Sequence, residues 1–476
     1  MPNISFYFQV HQPYRLRHYN FFEIGESPFY EDIDANRAII SKIADKCYRP
    51  MNALLLKLIN KYKGKFKAAF SITGSALDQL IDYAPKDVLA SFQELVKTGS
   101  VEILTETDNH SLAFLYSKDE FKRQVALHDK KIEKFFGVKP KIFRNTELVY
   151  NNDLAVIASE LGYDAVLLEG ADHILGWRSP NYVYSPVGAK AKLLLRNYQL
   201  SDDIAFRFSN RSWGEYPLTA DKFANWIANS DGDVVNIYMD YETFGEHQWA
   251  DSGIFDFFEA LPAALFAKKG INFLTPSEVV KKFKPVAELN VTNTMSWADE
   301  ERDLTAWMGN DMQKDALETV YRLEEKVLKT QDANIDLVWG RLQASDHFYY
   351  MCTKWFADGE VHKYFNPYGT PYDAYINYMN VMGDFEIRLR ASLEGKTAKF
   401  APPVNVLLEE EEELVVPVKR PKAAKHGSSK AETRAETRAE IKAPAKAPAA
   451  KKTAVKAASA RTAAPKAAKA APKVKS

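Results

Sequence analysis

Residues 234–247 read VVNIYMDYETFGEH, and they decide the fold because an apolar, strand-like run leads here directly into two carboxylates. Side chains of an extended chain alternate, which puts an apolar set and a polar set on opposite faces. The polar set is Asn236, Tyr238, Asp240 and Glu242. Such a pattern is typical of a barrel strand whose outer face packs on helices and whose carboxyl end carries functional groups. Because an Asp-x-Glu after a strand is as often a solvated loop, the interpretation needs partners elsewhere.

Two further strand ends supply these partners. Residues 3–10 alternate in the same way and run into His11-Gln12-Pro13, where proline ends the strand because it has no N–H for the ladder. Residues 141–147, KIFRNTE, place Glu147 at the end of a third run. A single histidine at a strand end is more often structural than functional. The three ends together predict a site built from His11, Glu147 and Asp240.

Strand-like and helical patterns alternate over the first 290 residues. The strand-like runs are 3–10, 66–73, 101–105, 141–146, 164–168, 191–196, 234–239 and 271–274. Helical patterns such as 86–97 and 151–161 lie between several of them, which predicts an α/β fold. Beyond about residue 290 the pattern favours long helices, at 304–328 and 371–393.

Five segments resemble motifs of glycoside hydrolase family 57. The segment that begins at Met239 also resembles the α-amylase-like subgroup of this family. The five segments are HQP at 11–13, GSVEIL at 99–104 leading to His110, FRNTELVYN at 143–151, MDYETFGEHQW at 239–249 and WGRLQASDHFYY at 339–350. The resemblance implies a distorted (β/α)7 barrel, an incomplete TIM-type barrel, so one of the eight runs is expected to be peripheral, and we expect 271–274. It also implies a helical domain that lines the cleft. The predicted domains are 1–290 (catalytic barrel), 291–400 (C-terminal α-helical bundle) and 401–476 (disordered Lys/Ala/Pro-rich tail).

The resemblance further implies a retaining α-glucan hydrolase, most like an α-amylase that cleaves α-1,4-glucosidic bonds in starch, glycogen or maltodextrin. Glu147 would be the nucleophile and Asp240 the general acid/base, with their carboxyl groups about 5–5.5 Å apart as retention requires. The candidate substrate-binding residues are His11, Gln12, His110, Glu242, His247, Trp249, Asp346 and His347. Acetal cleavage by two acids needs no redox or metal step, so neither a cofactor nor a metal is expected.

Three alternatives stay open. A 4-α-glucanotransferase would use the same site, with a sugar hydroxyl replacing water. A carbohydrate deacetylase would need an Asp and two histidines on one metal, often as HxxxH, and the sequence contains no HxxxH. A non-catalytic glucan-binding homologue would be favoured if either acid were replaced, and both acids are present.

The net charge of zero hides an uneven distribution. Residues 419–476 carry a balance of +14 and the rest of the chain −14. The basic segment has no aromatic residue and follows a run of glutamates at 409–413, so it is expected to be disordered. Such a tail could bind nucleic acid or another polyanion by counterion release. An inert solubilising extension and contact with its own acidic body are the alternatives.

Cysteine usage and hydropathy favour a cytoplasmic protein. Cys47 and Cys352 are too few for a disulfide framework and are expected to be buried as small apolar residues. The first residues, MPNISFYFQV, lack a charged n-region and a long apolar h-region, and they are needed as the first strand. We therefore expect neither a secretion signal nor a membrane span.

Overall fold

The computed structural model describes residues 1–354 and 366–396, which all belong to one compact unit. Its strands are β1 (Asn3–Val10), β2 (Ala68–Ile72), β3 (Val101–Ile103), β4 (Ile142–Arg144), β5 (Ala165–Glu169), β6 (Val183–Pro186), β7 (Lys192–Arg196), β8 (Val234–Asp240) and β9 (Glu288–Leu289).

Helices connect most of the strands and continue beyond the last one. They are α1 (Ile33–Ile43), α2 (Arg49–Lys61), α3 (Gly74–Asp82), α4 (Lys86–Lys97), α5 (Ala113–Tyr116), α6 (Lys118–Phe136), α7 (Asn152–Glu160), α8 (Asp172–Leu175), α9 (Tyr198–Ala205), α10 (Ala220–Asn229), α11 (Ile254–Phe266), α12 (Pro276–Lys282), α13 (Thr305–Met308), α14 (Asp311–Tyr321), α15 (Glu324–Thr330), α16 (Ala333–Leu342), α17 (Ser345–Tyr349) and α18 (Pro371–Leu393).

Seven of the strands form a parallel sheet in the order β3-β2-β1-β8-β7-β5-β4. The two edges of this order are linked to each other by main-chain hydrogen bonds, from Thr105 N to Ile142 O (3.1 Å) and from Arg144 N to Thr105 O (2.9 Å). All seven strands therefore deliver their carboxyl ends to the same end of the sheet, where the residues after the strands can meet.

The alternation predicted for β1 and β8 is confirmed. Phe6 and Phe8 of β1 and Ile237 of β8 belong to an apolar cluster that also contains residues of α2, α4 and α11. On the opposite face, the rings of Tyr7 and Tyr238 meet edge to face at 5.4 Å in a separate cluster. One face of the sheet thus packs on helices, and the other fills the space between the strands.

The run expected to be peripheral, 271–274, is joined to the sheet by a single bridge, from Phe273 to Ile4 of β1. The sequence patterns missed β6, which pairs antiparallel with β7, and β9, which pairs with β6. Both are short, and the pairing of β6 involves only Val183 and Tyr184 opposite β7. β3 and β4 are also short, but they lie within the predicted runs 101–105 and 141–146.

The region after residue 290 is helical as predicted, but the predicted helix 304–328 is three helices, α13, α14 and α15. The chain breaks at Gly309 and again at Arg322 and Leu323. The second predicted helix is confirmed as α18, which packs against α14 and α15. Its buried Tyr378 and Phe385 share an apolar cluster with Phe143 of β4, so these helices cover one side of the sheet.

Part of the predicted domain organisation lies outside the described residues. This applies to residues 355–365, to the end of the 291–400 domain and to the whole predicted tail, 401–476. None of the helices in the described part of the chain has the length and apolar character needed to cross a bilayer. Cys47 is buried and its thiol donates to Tyr241 O, whereas Cys352 is half-buried.

Candidate active site

A pocket of about 1170 Å³, counting its open part, lies where the sheet strands end. Eight of the residues singled out from the sequence line it: His11, Gln12, His110, Glu147, Asp240, Glu242, His247 and Asp346. They come from the segments after β1, β3, β4 and β8 and from α17. The parallel sheet therefore brings together side chains that lie far apart in the sequence.

Glu147 stands in a tight turn directly after β4. Its backbone is left-handed, with φ 56° and ψ 24°, and the following Leu148 has φ 50°. For residues other than glycine this conformation costs on the order of 1–3 kcal/mol and persists only where the surroundings enforce it. A main-chain bond from Trp297 N to Glu147 O (3.2 Å) and complete burial of Leu148 hold the turn.

The Glu147 carboxylate is held by three side chains from different parts of the chain. Trp297 Nε1 donates to Oε2 at 2.7 Å. His110 Nε2 lies 3.1 Å from Oε1, and the Ser345 hydroxyl donates to the same oxygen at 3.4 Å. With the side chain only 3% exposed, these contacts fix the direction in which the carboxylate faces the pocket.

His110 connects Glu147 to a second buried acid, Glu106. Its Nδ1 lies 2.9 Å from Glu106 Oε2. Burial disfavours the charged ring, but the hydrogen bonds and negative charges of Glu106 and Glu147 outweigh it and raise the pKa of His110 to about 9. For Glu106, burial is again opposed, by His110 and by the positive charge of Arg144, and the pKa of this carboxyl falls to about 2.

His11 lies against His110 but is in the opposite protonation state. The two rings stack with centroids 3.8 Å apart. Burial and the positive charge of His110 lower the pKa of His11. The neutral ring can accept from the Thr73 hydroxyl at Nδ1 (3.0 Å) and donate from Nε2 to Asp346 Oδ2 (2.8 Å). This fixes the position of Asp346 in the pocket.

Asp240 and Glu242 reach the pocket from the end of β8. Asp240 is the last residue of the strand and pairs in register with Gln9 of β1. Glu242 is buried and accepts hydrogen bonds from Tyr48 Oη (2.6 Å) and Gln12 Nε2 (3.4 Å). Burial, helped by the negative charge of Asp240, raises the pKa of Glu242 to about 8. Glu242 is therefore protonated at neutral pH.

The sequence reasoning missed a group of buried ion pairs on the side of the pocket near β5 and β7. Arg196 bonds Glu169 at 3.0 Å and also pairs with Asp202. Arg302 approaches the same two acids at 3.9 and 3.7 Å. Arg196 ends a predicted strand just as Asp240 does, so the strand-end argument could have identified it.

The loop before α13 was also missed, although it supplies Trp297, Asp299 and Arg302 to the pocket. The Trp297 ring lies over the guanidinium groups of Arg144 (5.1 Å) and Arg196 (5.7 Å). The positive charge of these guanidinium groups at the ring face helps to hold the indole in the orientation in which its N–H donates to Glu147. The loop has no periodic pattern in the sequence. Its one tryptophan, which stands among acidic residues, is the only sequence feature that could have identified it as part of the site.

Two of the expected substrate-binding residues do not line the pocket. Trp249 is 62% exposed, two residues beyond His247. His347 is buried beside the Tyr378 ring at 5.5 Å, with Nε2 3.2 Å from Arg341 O, and burial lowers its pKa to about 4. Because neighbouring helical positions differ in direction by about 100°, Asp346 faces the pocket while His347 faces the helices.

Residues 1–354 and 366–396 contain no group of three or more His, Cys, Asp or Glu side chains arranged to hold a metal ion. The acids in the pocket are instead engaged by arginines, histidines, an indole and hydroxyl groups. This arrangement suits proton transfer and nucleophilic attack by carboxyl groups.

A parallel α/β sheet with buried acids at its carboxyl end is an arrangement that a glycoside hydrolase can use. Residues 5–292 match the model of Glycosyl hydrolase family 57. The chain is also 46% identical over 407 residues to the protein named "Putative alpha-amylase" of Methanocaldococcus jannaschii, covering 82% of this chain and 85% of that protein. The protein belongs to glycoside hydrolase family 57.

Solved structures agree with the fold. The family 57 branching enzyme of Thermococcus kodakaraensis superposes with a TM-score of 0.61 at 15% identity, covering 86% of this chain and 94% of that one. The α-amylase AmyC of Thermotoga maritima superposes with a TM-score of 0.56 at 13% identity, covering 87% of this chain and 97% of that one. The 4-α-glucanotransferase of Thermococcus litoralis superposes with a TM-score of 0.56 at 16% identity, covering 73% of this chain and 56% of that one. At such identities the likeness extends to the fold alone.

Proposed function

We propose that the protein is a retaining α-glucan hydrolase of the α-amylase type, cleaving α-1,4-glucosidic bonds in starch, glycogen or maltodextrin. The observation that carries the proposal is the meeting of Glu147 and Asp240 in one pocket, at the ends of β4 and β8. The 46% identity to a protein named for α-amylase activity favours hydrolysis over transfer.

In this proposal Glu147 is the nucleophile. Its carboxylate attacks the anomeric carbon to give a covalent glycosyl-enzyme, while Asp240 protonates the leaving oxygen. Asp240 then removes a proton from water, which attacks the same carbon and releases Glu147. Three donors at the Glu147 carboxylate support the assignment, because they fix its orientation before the substrate arrives.

The remaining predicted residues are proposed to bind sugar hydroxyls. The pocket position supports this role for His11, Gln12, His110, Glu242, His247 and Asp346. For Trp249 and His347 the role stays a prediction. The proposed architecture is a distorted seven-stranded barrel over residues 1–290 and a helical domain over 291–400, and the link between the two sheet edges supports the barrel.

The test is the digestion of maltoheptaose by the wild type, Glu147→Gln and Asp240→Asn. New reducing ends and shorter chains are expected for the wild type, with the released sugar first appearing as the α-anomer in NMR spectra. Each variant should lose several orders of magnitude in rate. Glu120→Gln is the matched control, because Glu120 is also buried but does not line the pocket.

Two results would contradict the proposal. Longer chains without new reducing ends would assign a 4-α-glucanotransferase with the same two acids. An inactive wild type, or variants that keep their activity, would mean that these acids do not perform α-glucan hydrolysis.

A further inference from the structure

We propose that Glu106 is a positioning residue of this enzyme, which acts through His110 by keeping that ring protonated and directed at the Glu147 carboxylate. The inference rests on the proposed nucleophilic role of Glu147. It adds to the site a residue that no sequence motif singled out, located between β3 and α5.

The surroundings of Glu106 are built to hold a negative charge. The side chain is completely buried. Gln9 Nε2 donates to Oε1 at 2.9 Å, and the Ser71 hydroxyl donates to the same oxygen. Oε2 faces His110, and Arg144 Nη1 lies 3.5 Å from it. An isolated buried carboxylate would be very costly, so this set of donors and cations is what permits its ionisation.

With both carboxyl groups ionised, the contacts of His110 call for a doubly protonated ring. Each of its nitrogens faces a carboxylate oxygen, Glu106 on one side and Glu147 on the other. An ionised carboxylate only accepts hydrogen bonds, so both nitrogens must donate, which only the imidazolium can do. The pKa of about 9 agrees with this state. If Glu106 were neutral, one nitrogen would lose its charged acceptor while the ring stayed buried.

Other charged groups near His110 do not replace Glu106. The stacked His11 is neutral, and its Nε2 is directed at Asp346. Arg144 adds positive charge, which works against a protonated ring. The other acids that line the pocket do not hydrogen-bond to His110: Asp240 and Glu242 at the end of β8, Asp202, Asp299 and Asp346. Glu106 and Glu147 are thus the acids that keep His110 protonated.

The consequence for the reaction concerns the charge of Glu147. An imidazolium in hydrogen-bond contact stabilises the carboxylate in the free enzyme, and again when water displaces it from the glycosyl-enzyme. In the intermediate Glu147 is an ester without charge. The negative charge of Glu106 then balances the positive charge of His110, so that the ring remains protonated for the hydrolysis of the glycosyl-enzyme.

The test compares the pH dependence of kcat/KM for an aryl α-maltooligosaccharide, whose good leaving group reduces the need for acid catalysis. The acidic limb of this profile reports ionisation of the nucleophile in the free enzyme. Glu106→Gln is expected to move this limb upward by about one pH unit, because His110 then gives up its proton and no longer stabilises the Glu147 carboxylate. Loss of the negative charge of Glu106 without deprotonation of His110 would move the limb downward instead. The kcat value should fall at neutral pH while KM changes little.

Glu120→Gln is the control, since Glu120 is likewise buried and accepts from Arg123, Gln124 and Gln343. Its acidic limb should coincide with that of the wild type. A Glu106→Gln profile that also coincides with the wild type would overturn the inference. If Glu106→Gln does not fold, Ser71→Ala removes one donor to Glu106 and should cause a smaller shift in the same direction, and no shift there would equally overturn it.

A measurement without substrate separates this inference from the proposed function. The ring nitrogens of His110 are followed by ¹⁵N NMR, with the signals assigned by their loss in His110→Gln. Both nitrogens should be protonated at pH 7 in the wild type and should titrate at lower pH in Glu106→Gln. An inactive wild type would defeat the proposed function alone, whereas unchanged titration of His110 would defeat the role of Glu106.

Discussion

At the scale of single residues, the pocket holds side chains of the same type in opposite protonation states. His110 carries a proton between two carboxylates, while the stacked His11 is neutral. Glu106 is ionised among donors and cations, while Glu242 keeps its proton beside Asp240. Burial is common to all four side chains, so the difference lies in the charge and hydrogen bonds of their neighbours.

The raised pKa of Glu242 makes stability depend on pH. Between its ordinary value of 4.5 and about 8, the unfolded chain has released a proton that the folded protein keeps. Stability contributed by this group therefore falls as pH rises through that window, by at most about 1.4 kcal/mol per pH unit. Glu242→Gln should remove this loss, so relative to the wild type the variant gains on the order of a few kcal/mol between pH 5 and 8.

Urea unfolding at pH 5, 6.5 and 8 measures this effect. Glu215→Gln serves as the control, because Glu215 is exposed and should leave the pH dependence as it is. If the free energies of unfolding of Glu242→Gln and the wild type stay parallel over this range, the proposed protonation of Glu242 is wrong.

At the scale of elements, breaks in the helices decide which side chains reach the pocket. The spacing of Gln343, Asp346, His347 and Tyr350 is compatible with one polar face of a single helix, but α16 ends at Leu342 and α17 begins at Ser345. The turn between them directs Asp346 toward His11 and leaves His347 against Tyr378. Helical periodicity in the sequence cannot locate such a break, because the same spacing is compatible with one helix or two.

Helix α18 is bonded to the segment after β1 by several side chains, and one of them is the buried acid Asp384. It accepts from Tyr30 Oη, from Gly25 N at 2.6 Å and from Arg388 Nε at 2.6 Å. Asp384→Ala would take this acceptor away from a partly buried guanidinium and a buried hydroxyl, which costs on the order of a few kcal/mol. Thermal and urea unfolding should show this loss of stability.

A matched variant exists on the same helix. Tyr375 of α18 donates to Asp315 of α14 at 2.6 Å in an exposed position. Asp315→Ala removes a similar tyrosine–aspartate bond in water and should change stability by less than about 1 kcal/mol. Equal losses for both variants would show that burial does not set the strength of the Asp384 contacts.

At the scale of the whole molecule, charge is divided between a body of −14 and a segment, residues 419–476, of +14. Lysine-rich chains bind polyanions mainly through release of counterions, which makes the affinity steeply dependent on salt. The full chain is therefore expected to bind RNA or heparin at low salt. A chain that ends at residue 418 should bind neither, since its remaining charge is negative.

The same truncation should leave glucan hydrolysis within about twofold of the full chain. The apolar clusters of the described residues run from Ile4 to Leu389, so the shortened chain keeps them all. Gel-shift titrations at 50 and 200 mM salt and an assay on maltoheptaose measure the two effects. Binding that is retained after truncation, or that ignores salt, would argue against a role of the basic segment.

The sequence by itself determined the seven strands of the parallel sheet, the family motifs and the strand-end positions of Glu147 and Asp240. Periodicity of two and residue type are local properties, and they were sufficient to place Glu147 and Asp240 at strand ends. Parallel pairing then brings such ends together, so His11 could be expected beside them. The resemblance implied one peripheral run among the eight, and residues 271–274 were the run we expected.

Only the tertiary structure decided which groups surround those acids and which protons they carry. Trp297 donates to Glu147 across 150 positions of the chain, and Glu106 reaches Glu147 only through His110. His347 and Trp249 show the converse, since their motif positions did not bring them to the pocket lining. Such relations depend on burial and on distances between remote segments, and neither quantity is present in the local pattern of the sequence.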